Sequence, residues 1–491
     1  MEESVQILPT AAPQEKRETH PPPQSEESDG PRQHPAGSQA HRTITQRLWN
    51  RTTLSFFFMG ILVTVNPAPQ HYVILMSSKV GLPTMPITTA ASLMFDGITG
   101  VYGICLSVTA AVSAFAGPVV ARHVPYDICN AVLTLASGLA YVISTLPQPL
   151  ANPTGGNKAG PVIGTMLAGF VYAFGTQNYL AVAAFFPAEA VVALSMGSGL
   201  SIILGAGVFI GLVDGAFDQD WRRCFLVFLP TTVLMPIIWW FLFDKSRRDA
   251  AELSRRQSLK KASENWSSES IQSLGPKAVG VEATVEVDTT KGGGRDGAAT
   301  GQTRPGFGPG RTRTGMLFKT ILPKYVLPLI ICTTSAILAL FGLAPSLQTL
   351  NRFKGAPDGD LEYQLVFFAY GSAQFLFSAL VAIKPFPIIW AWTCVELVLT
   401  AIVLLQLWYP FLTYFWVWFV IMFFVGGCVG GSVTNTNYKI ARDFEEAGEP
   451  DEVRSFANSY AGLGNFGGDA LGGAIGLAIE LCVVRGLKPT P

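Results

Sequence analysis

The chain has 491 residues, of which 49% are hydrophobic and only 14% are charged. Soluble domains carry about 25% charged residues, so this composition argues against a soluble domain. The 34 basic and 34 acidic residues give a formal net charge of +0, and a nucleic-acid partner would require a clustered basic surface. The composition predicts a membrane protein without a nucleic-acid partner.

Apolar runs, about eleven in number, follow one another along the chain, and each is long enough to cross a bilayer. A helix needs roughly 20 predominantly apolar residues for this, because each residue advances it by about 1.5 Å. The predicted spans cover residues 54–76, 90–117, 128–147, 160–183, 190–213, 223–243, 318–343, 364–383, 387–408, 411–434 and 455–483. The predicted fold class is an all-α membrane protein with about 11 transmembrane helices in two bundles, six and five.

The tracts outside these spans set the expected domain boundaries. Residues 1–44 are rich in Pro, Gln, Glu and Ser, a composition that predicts a disordered tail. Residues 244–315 combine basic residues with Gly-rich sequence such as KGGGRDG, which predicts a disordered basic loop. The six-helix bundle would then occupy residues 45–243 and the five-helix bundle residues 316–485, followed by a short C-terminal tail.

Basic residues near the span ends predict the orientation, because they are retained on the cytoplasmic side. The loop after the sixth span begins with a basic cluster that includes Lys245, Arg247 and Arg248. The N-terminus is therefore expected in the cytoplasm, and a glycan on the sequon at Asn265 would overturn this orientation. Glu3 followed by Ile7 and Leu8 resembles an acidic dileucine signal, so residues 1–44 are expected to bind cytosolic sorting partners.

Motifs for catalysis or cofactors are missing from the sequence. It contains no Walker sequence, no GxSxG elbow and no HExxH. Its seven cysteines lie within or at the edge of apolar runs without CxxC spacing, as small packing residues do. We therefore expect no enzyme activity, no metal and no cofactor.

Sequence motifs in four regions of the chain resemble the battenin family of lysosomal and vacuolar membrane proteins. In chain order, the matching stretches are YVILMS at 72–77, AGPVVARHVPYDI after the second span, AAFFP at 183–187 with SMGSG at 195–199, and GGSVTNT at 430–436 with RSFA at 454–457. They occur in the same order and at the same span positions as in the family. The resemblance covers residues 54–485.

This resemblance implies a major-facilitator-like protein in the lysosomal or vacuolar membrane that works by alternating access. It implies export of small solutes, glycerophosphodiesters or basic amino acids, and a role in organelle pH homeostasis. The chain departs from the family pattern inside the membrane, where Thr176, Ala336 and Asn465 stand at or near positions that carry acidic or amide groups in relatives. Substrate identity therefore does not follow from the resemblance.

Polar residues inside the last predicted span form one stripe. Asn465, Asp469 and Glu480 fall within an arc of about 60° at 100° per residue. Asp469 lies near mid-membrane, where a charge costs roughly 2.5–3.5 kcal/mol or more if it is unpaired. It either lines a cavity and binds a cation, a proton or a basic solute group, or is buried for structure. Glu480 is expected at the interface, in contact with water.

Further candidates for substrate or ion binding are polar residues in other spans, which either bind a solute or hold helices together. They are Asp96 in the second span, Tyr172, Thr176 and Gln177 in the fourth, Tyr370 and Gln374 in the eighth, Glu396 in the ninth, and Asn435. Asn435 is expected at the cytoplasmic end of the tenth span, where it would gate the mouth or cap the helix.

The sequence leaves three functional classes open. Pro67 and Pro69 interrupt the first span, and a discontinuous span suits a transporter of small solutes, with protons as candidate coupling ions. Equilibrative nucleoside transporters share an eleven-span layout. A membrane scaffold or regulator would act through residues 1–44 and the central loop, without transport.

Overall fold

The computed structural model describes most of the chain beyond residue 83. The described residues are 84–95, 98–145, 158–185, 188–242, most of 245–260, 317–350, 353–357, 359–386 and 388–487. The first predicted span with Pro67 and Pro69, the dileucine sequence, Asp96 and the sequon at Asn265 all lie outside them.

Ten helices in this part of the chain are long and apolar enough to cross a membrane, and they confirm the helical membrane fold. In chain order they are α1 Thr99–His123, α2 Tyr126–Thr145, α3 Ala159–Ala183, α4 Ala188–Gly215, α5 221–242, α6 317–349, α7 Leu361–Ile383, α8 Ile389–Trp408, α9 Phe415–Glu446 and α10 Asp451–Leu487. Two short helices, Thr84–Thr89 and Ala91–Met94, precede α1.

Two of these helices change geometry along their length. The segments of α5 are Trp221–Phe228, a 3₁₀ turn Leu229–Val233, Leu234–Ile237 and a π-helical turn Ile238–Leu242. Those of α6 are π-helical Leu317–Val326, Leu327–Leu338, π-helical Ala339–Leu343 and Ala344–Thr349. Prolines lie in or beside the irregular turns, at 230, 236, 323, 328 and 345, and proline cannot donate the backbone hydrogen bond of a regular helix.

The stretch AGPVVARHVPYDI, placed after the second predicted span, is helical for most of its length. Helix α1 continues through Pro118 to His123, and the amide of Val124 still donates to the carbonyl of Val120 at 2.9 Å. Unbonded backbone is costly in the membrane, and a membrane helix tolerates a proline because neighbouring groups satisfy the backbone group that it frees. Helix α1 ends where Val124 adopts the extended backbone that a following proline favours.

The predicted end of the tenth span is also wrong, because α9 continues twelve residues beyond 434, to Glu446. The extension has a buried face, with Ile440 and Phe444 packed in a cluster that includes Tyr325 of α6 and Ala461 of α10. Tertiary burial of this kind stabilises a helix beyond its most apolar stretch. Asn435 therefore lies inside the helix rather than at its end.

We call described residues 84–260 the first half and residues 317–487 the second half. Helices α1 and α3 of the first half pack on α10 of the second, and α4 packs on α7 and α9. The approach is close, since a Cβ on Gly199 of α4 would lie 2.7 Å from the Cα of Phe375 in α7. Small residues permit such contacts between membrane helices.

Successive helices run in opposite directions, and the two ends of the helical assembly are named here for one residue each. The Glu480 face is the end at which α1 begins and α10 finishes. The Arg442 face is the end at which α1 finishes and α2 begins. Large apolar side chains between the faces are exposed on the outside, for example Phe115 at 68% and Leu135 at 66%, as expected for side chains that contact lipid.

On the Arg442 face, residues 248–257 are helical rather than disordered. Arg255 pairs with Glu252 at 2.5 Å, and Arg256 pairs with the same carboxylate at 3.2 Å. Burial disfavours the charge on Glu252, but hydrogen bonds from the two arginines hold its pKa below the usual value. The start of the basic loop is thus a helix with its own ion pairs, and it also packs on the bundle through the buried Ala251.

Candidate functional site

Two adjoining cavities lie between the halves. The Asp469 cavity has a volume of about 60 Å³ and is lined by Thr84, Met85, Thr88, Leu106, Tyr172, Ile202, Ile337, Leu340, Phe341, Phe367, Tyr370, Gln374, Val429, Asn465 and Asp469. The Asn437 cavity has a volume of about 30 Å³ and is lined by Tyr172, Thr176, Leu194, Ser195, Ser198, Gln374, Ser378, Val433, Thr434, Asn437, Asn465 and Phe466.

Three polar side chains line both cavities, namely Tyr172 of α3, Gln374 of α7 and Asn465 of α10. Thr176, Tyr370 and Asp469 line one cavity each. The structure thus brings six of the ten predicted site residues around one polar space. They come from three helices and from both halves of the molecule.

Asp469 is the only carboxylate among the described residues that line the two cavities. None of the described residues donates a hydrogen bond to it or forms an ion pair with it. Its helix is held in place by α6, because Thr334 Oγ1 donates to the carbonyl of Gly468 at 3.2 Å. The site therefore presents one uncompensated acidic group to an otherwise neutral cavity.

Besides the predicted site residues, the Asn437 cavity is lined by polar residues that the sequence did not single out as site residues. Asn437 Nδ2 donates to Ser195 Oγ at 3.4 Å across the two halves, and the hydroxyls of Tyr172 and Ser198 lie 3.3 Å apart. Thr434 Oγ1 donates to Ser378 Oγ at 2.9 Å. Ser195 and Thr434 belong to SMGSG and GGSVTNT, so these motifs already marked them.

The cavities are small. A water molecule needs about 10–15 Å³ of such volume, so about 60 Å³ and about 30 Å³ leave room for only a few waters. The Asn437 to Ser195 contact joins the two halves beside the Asn437 cavity. The described helices thus leave room between them for no more than a few water molecules.

Gln177, a further predicted site residue of α3, lies outside both cavities. Its Nε2 donates to the carbonyl of Ala114 in α1 at 2.7 Å. A Cβ added to Gly462 of α10 would lie 3.0 Å from the Gln177 side chain. Gln177 thus packs α1, α3 and α10 together.

Glu396 of α8 is also remote from the cavities. Its side chain is 0% exposed, one oxygen accepts from Thr400 Oγ1 at 3.3 Å, and the other has no hydrogen-bond partner among the described residues. The thiols of Cys332 in α6 and Cys428 in α9 lie beside it. Glu396 is enclosed within the second half.

Asn435 holds a connection between helices, and its expected place at a helix end is wrong. The amide of Phe386, between α7 and α8, donates to Asn435 Oδ1 at 2.7 Å. Asn435 Nδ2 donates to the carbonyl of Gly431 at 2.8 Å. Both the acceptor oxygen and the donor nitrogen of the Asn435 side chain therefore have hydrogen-bond partners inside the second half.

Glu480 also differs from the sequence prediction of a water-exposed residue. It is 1% exposed, and its oxygens accept hydrogen bonds from the backbone amides of Thr99 at 3.0 Å and Gly100 at 2.7 Å. The helical stripe placed it correctly on the face of Asp469. The start of α1, which covers it, could not be seen from the α10 sequence alone.

The family model described as CLN3 protein matches residues 54–485 of the chain. No curated protein matches it. Among solved structures, the major facilitator superfamily proton:xylose symporter XylE, bound to 6-bromo-6-deoxy-D-glucose, is 9% identical, with TM-score 0.47, covering 89% of this chain and 97% of its own. The human organic anion transporter MFSD10 (TETRAN) is 12% identical, with TM-score 0.48, covering 89% and 95%.

Proposed function

The chain belongs to the CLN3, or battenin, family of multi-pass membrane proteins, and from this membership and its central cavity we propose that it is a secondary transporter. It moves a small solute that carries a positively charged group, by alternating access between its two halves. Because the chain belongs to this family, we no longer propose the nucleoside-transporter alternative. The observation that carries the proposal is the position of Asp469, an acidic group without a described partner between the halves.

The charge of the lining favours a cationic group. Lys, Arg and His are missing from the described residues around both cavities, whereas Asp469 is present. A carboxylate inside the membrane is costly unless it is paired, so a bound cation or proton stabilises it. Tyr172 and Tyr370 lie beside Asp469, and their ring faces also attract cations.

Basic amino acids fit this lining better than glycerophosphodiesters do. The guanidinium or ammonium group of a basic amino acid would pair with Asp469, while Gln374 and Asn465 offer amides to its polar end. The phosphate of a glycerophosphodiester would find no basic partner among the described lining residues. A glycerophosphodiester with a quaternary ammonium group would satisfy Asp469 through that group alone.

The proposed location is the lysosomal or vacuolar membrane, with the N-terminus and the Arg442 face in the cytoplasm. Export of a basic solute from an acidic lumen, with exchange of a proton at Asp469, would couple transport to organelle pH. The family resemblance and the basic residues near the span ends support this orientation.

The test is efflux from liposomes that contain the purified protein and have an acidic interior. Labelled arginine, glycerophosphocholine and glycerophosphoinositol are loaded in parallel, and the wild type is compared with Asp469→Asn. Asp443→Asn is the matched control, because Asp443 lies on the Arg442 face and bonds Lys324 at 2.8 Å.

We expect arginine efflux from wild-type and Asp443→Asn liposomes, and efflux at the protein-free level from Asp469→Asn liposomes. Efflux of glycerophosphoinositol without arginine would contradict the cationic preference. Arginine efflux that persists in Asp469→Asn would contradict the role of this carboxylate.

A further inference from the structure

The end of α10 is joined to the start of α1 by a buried carboxylate. Glu480 Oε1 accepts from the amide of Thr99 at 3.0 Å, and Oε2 accepts from the amide of Gly100 at 2.7 Å. The first amides of a helix have no partner within the helix and carry partial positive charge. Ile98, which precedes them, provides no side-chain cap. Glu480 therefore caps α1 from the other half of the molecule.

The Glu480 carboxylate fits at this position only because Gly100 has no side chain. A Cβ at that position would lie 2.5 Å from Glu480 Oε2 and 2.9 Å from the Cα of Leu477. Another residue would displace the carboxylate and push α10 away from α1. The sequence of α1 and that of α10 thus fit together at this contact.

The contact lies between the Asp469 cavity and the Glu480 face. Glu480 follows Asp469 by eleven residues on the same side of α10, which is about 16 Å along a helix. Between them, Tyr102 is 0% exposed and its hydroxyl contacts Thr88, which lines the cavity. Tyr363 is 2% exposed and lies close to both Tyr102 and Glu480. These two buried tyrosines, called here the tyrosine layer, lie between the cavity and this face in the part of the chain that the structure describes.

We propose that Glu480 is the latch that closes the Asp469 cavity towards the Glu480 face. While both oxygens hold the amides of α1, the halves stay together at this end and the tyrosine layer is sealed. When the halves separate, the carboxylate and the two amides no longer bond each other, and water becomes the hydrogen-bond partner of each. This inference rests on the proposed function, since it assigns a gate to that alternating access.

A labelling experiment tests the latch without measuring transport. Leu340, which is 1% exposed and lines the cavity, is replaced by cysteine in a background without other cysteines. A membrane-impermeant maleimide is then added from the Glu480 side of sealed vesicles. The labelling rate is compared in the parent, Glu480→Gln, Gly100→Ala and Gly467→Ala. Gly467 is the matched control, because a Cβ there would meet no atom within 4 Å.

We expect Glu480→Gln to increase labelling by about threefold or more, because it shifts the population towards the open state. The side-chain nitrogen of the new glutamine would face a backbone N–H group, from which it cannot accept a hydrogen bond. Gly100→Ala should have the same effect and Gly467→Ala none. Unchanged labelling in Glu480→Gln, or an equal increase in Gly467→Ala, would overturn the latch. A protein that shows the labelling pattern without solute efflux would refute the transporter proposal and leave the latch standing.

Discussion

Asp469 and Glu396 are both carboxylates within long apolar helices, and the structure gives them opposite surroundings. Asp469 faces a cavity between the halves and has no described partner. Glu396 lies inside the second half, 0% exposed, bonded to Thr400 and distant from either cavity. One group lines a cavity between the halves, and the other is enclosed within the second half.

The difference shows that a charge inside a membrane helix has two physical justifications. A ligand or proton can stabilise it during a transport cycle, or fixed neighbours can hold it in a folded core. Cavity access distinguishes the two. The sharpest tests therefore treat Asp469 and Glu396 as a pair.

The largest effect is expected on transport. Asp469→Asn should reduce the rate of cationic solute efflux by about tenfold or more, because it removes the charge that pairs with the solute. Glu396→Gln should leave the rate within about twofold of the wild type, since the residue contacts neither cavity. Initial efflux rates at equal amounts of folded protein provide the measurement. Equal losses in both variants would break the contrast between the two carboxylates.

The second effect is a rescue. Asn465 lies one helical turn before Asp469 and lines both cavities, so Asn465→Asp returns a carboxylate to the same space. The double variant Asn465→Asp with Asp469→Asn should recover part of the efflux that Asp469→Asn loses, because the charge stays within reach of the solute. Asn458→Asp in the same background is the control, since Asn458 lines neither cavity. A rescue by this control would show that position within the cavity does not matter.

The helical period of α10 was enough to place Asn465 and Asp469 on one face, and spacing also paired Tyr370 with Gln374. These four residues line the Asp469 cavity together, because they lie on regular helices packed between the two halves. Spacing could not separate Thr176 from Gln177, which are neighbours in sequence. One lines a cavity and the other bonds the carbonyl of Ala114.

The remaining errors come from partners on distant helices. Glu480 appeared to be at the water interface because α10 ends there, but the first amides of α1 cover it. Asn435 appeared to end a helix because the apolar run stops, yet packing beyond it continues α9 to Glu446. Hydropathy of one segment carries no information about what another segment buries.

A smaller effect is expected on apparent affinity, and it contrasts two glutamines. Gln374 lines both cavities, whereas Gln177 lines neither. Gln374→Leu should raise the KM for the solute by about fivefold, the loss of one hydrogen bond worth about 1 kcal/mol. Gln177→Leu should change the amount of folded protein and leave the KM unchanged. A KM that rises equally in both variants would place Gln177 in the solute pathway.

The last contrast concerns stability rather than transport. Glu396 has one oxygen without a described partner, so Glu396→Met should leave the melting temperature unchanged or raise it, because an apolar side chain needs no partner there. Thr400→Val removes the hydroxyl that bonds Glu396 at 3.3 Å and should destabilise the protein by about 1–3 kcal/mol. Adding Glu396→Met to Thr400→Val should restore the melting temperature, because the carboxylate that needed the hydroxyl is gone. A double variant that melts lower than Thr400→Val would mean that Glu396 stabilises the fold through other contacts.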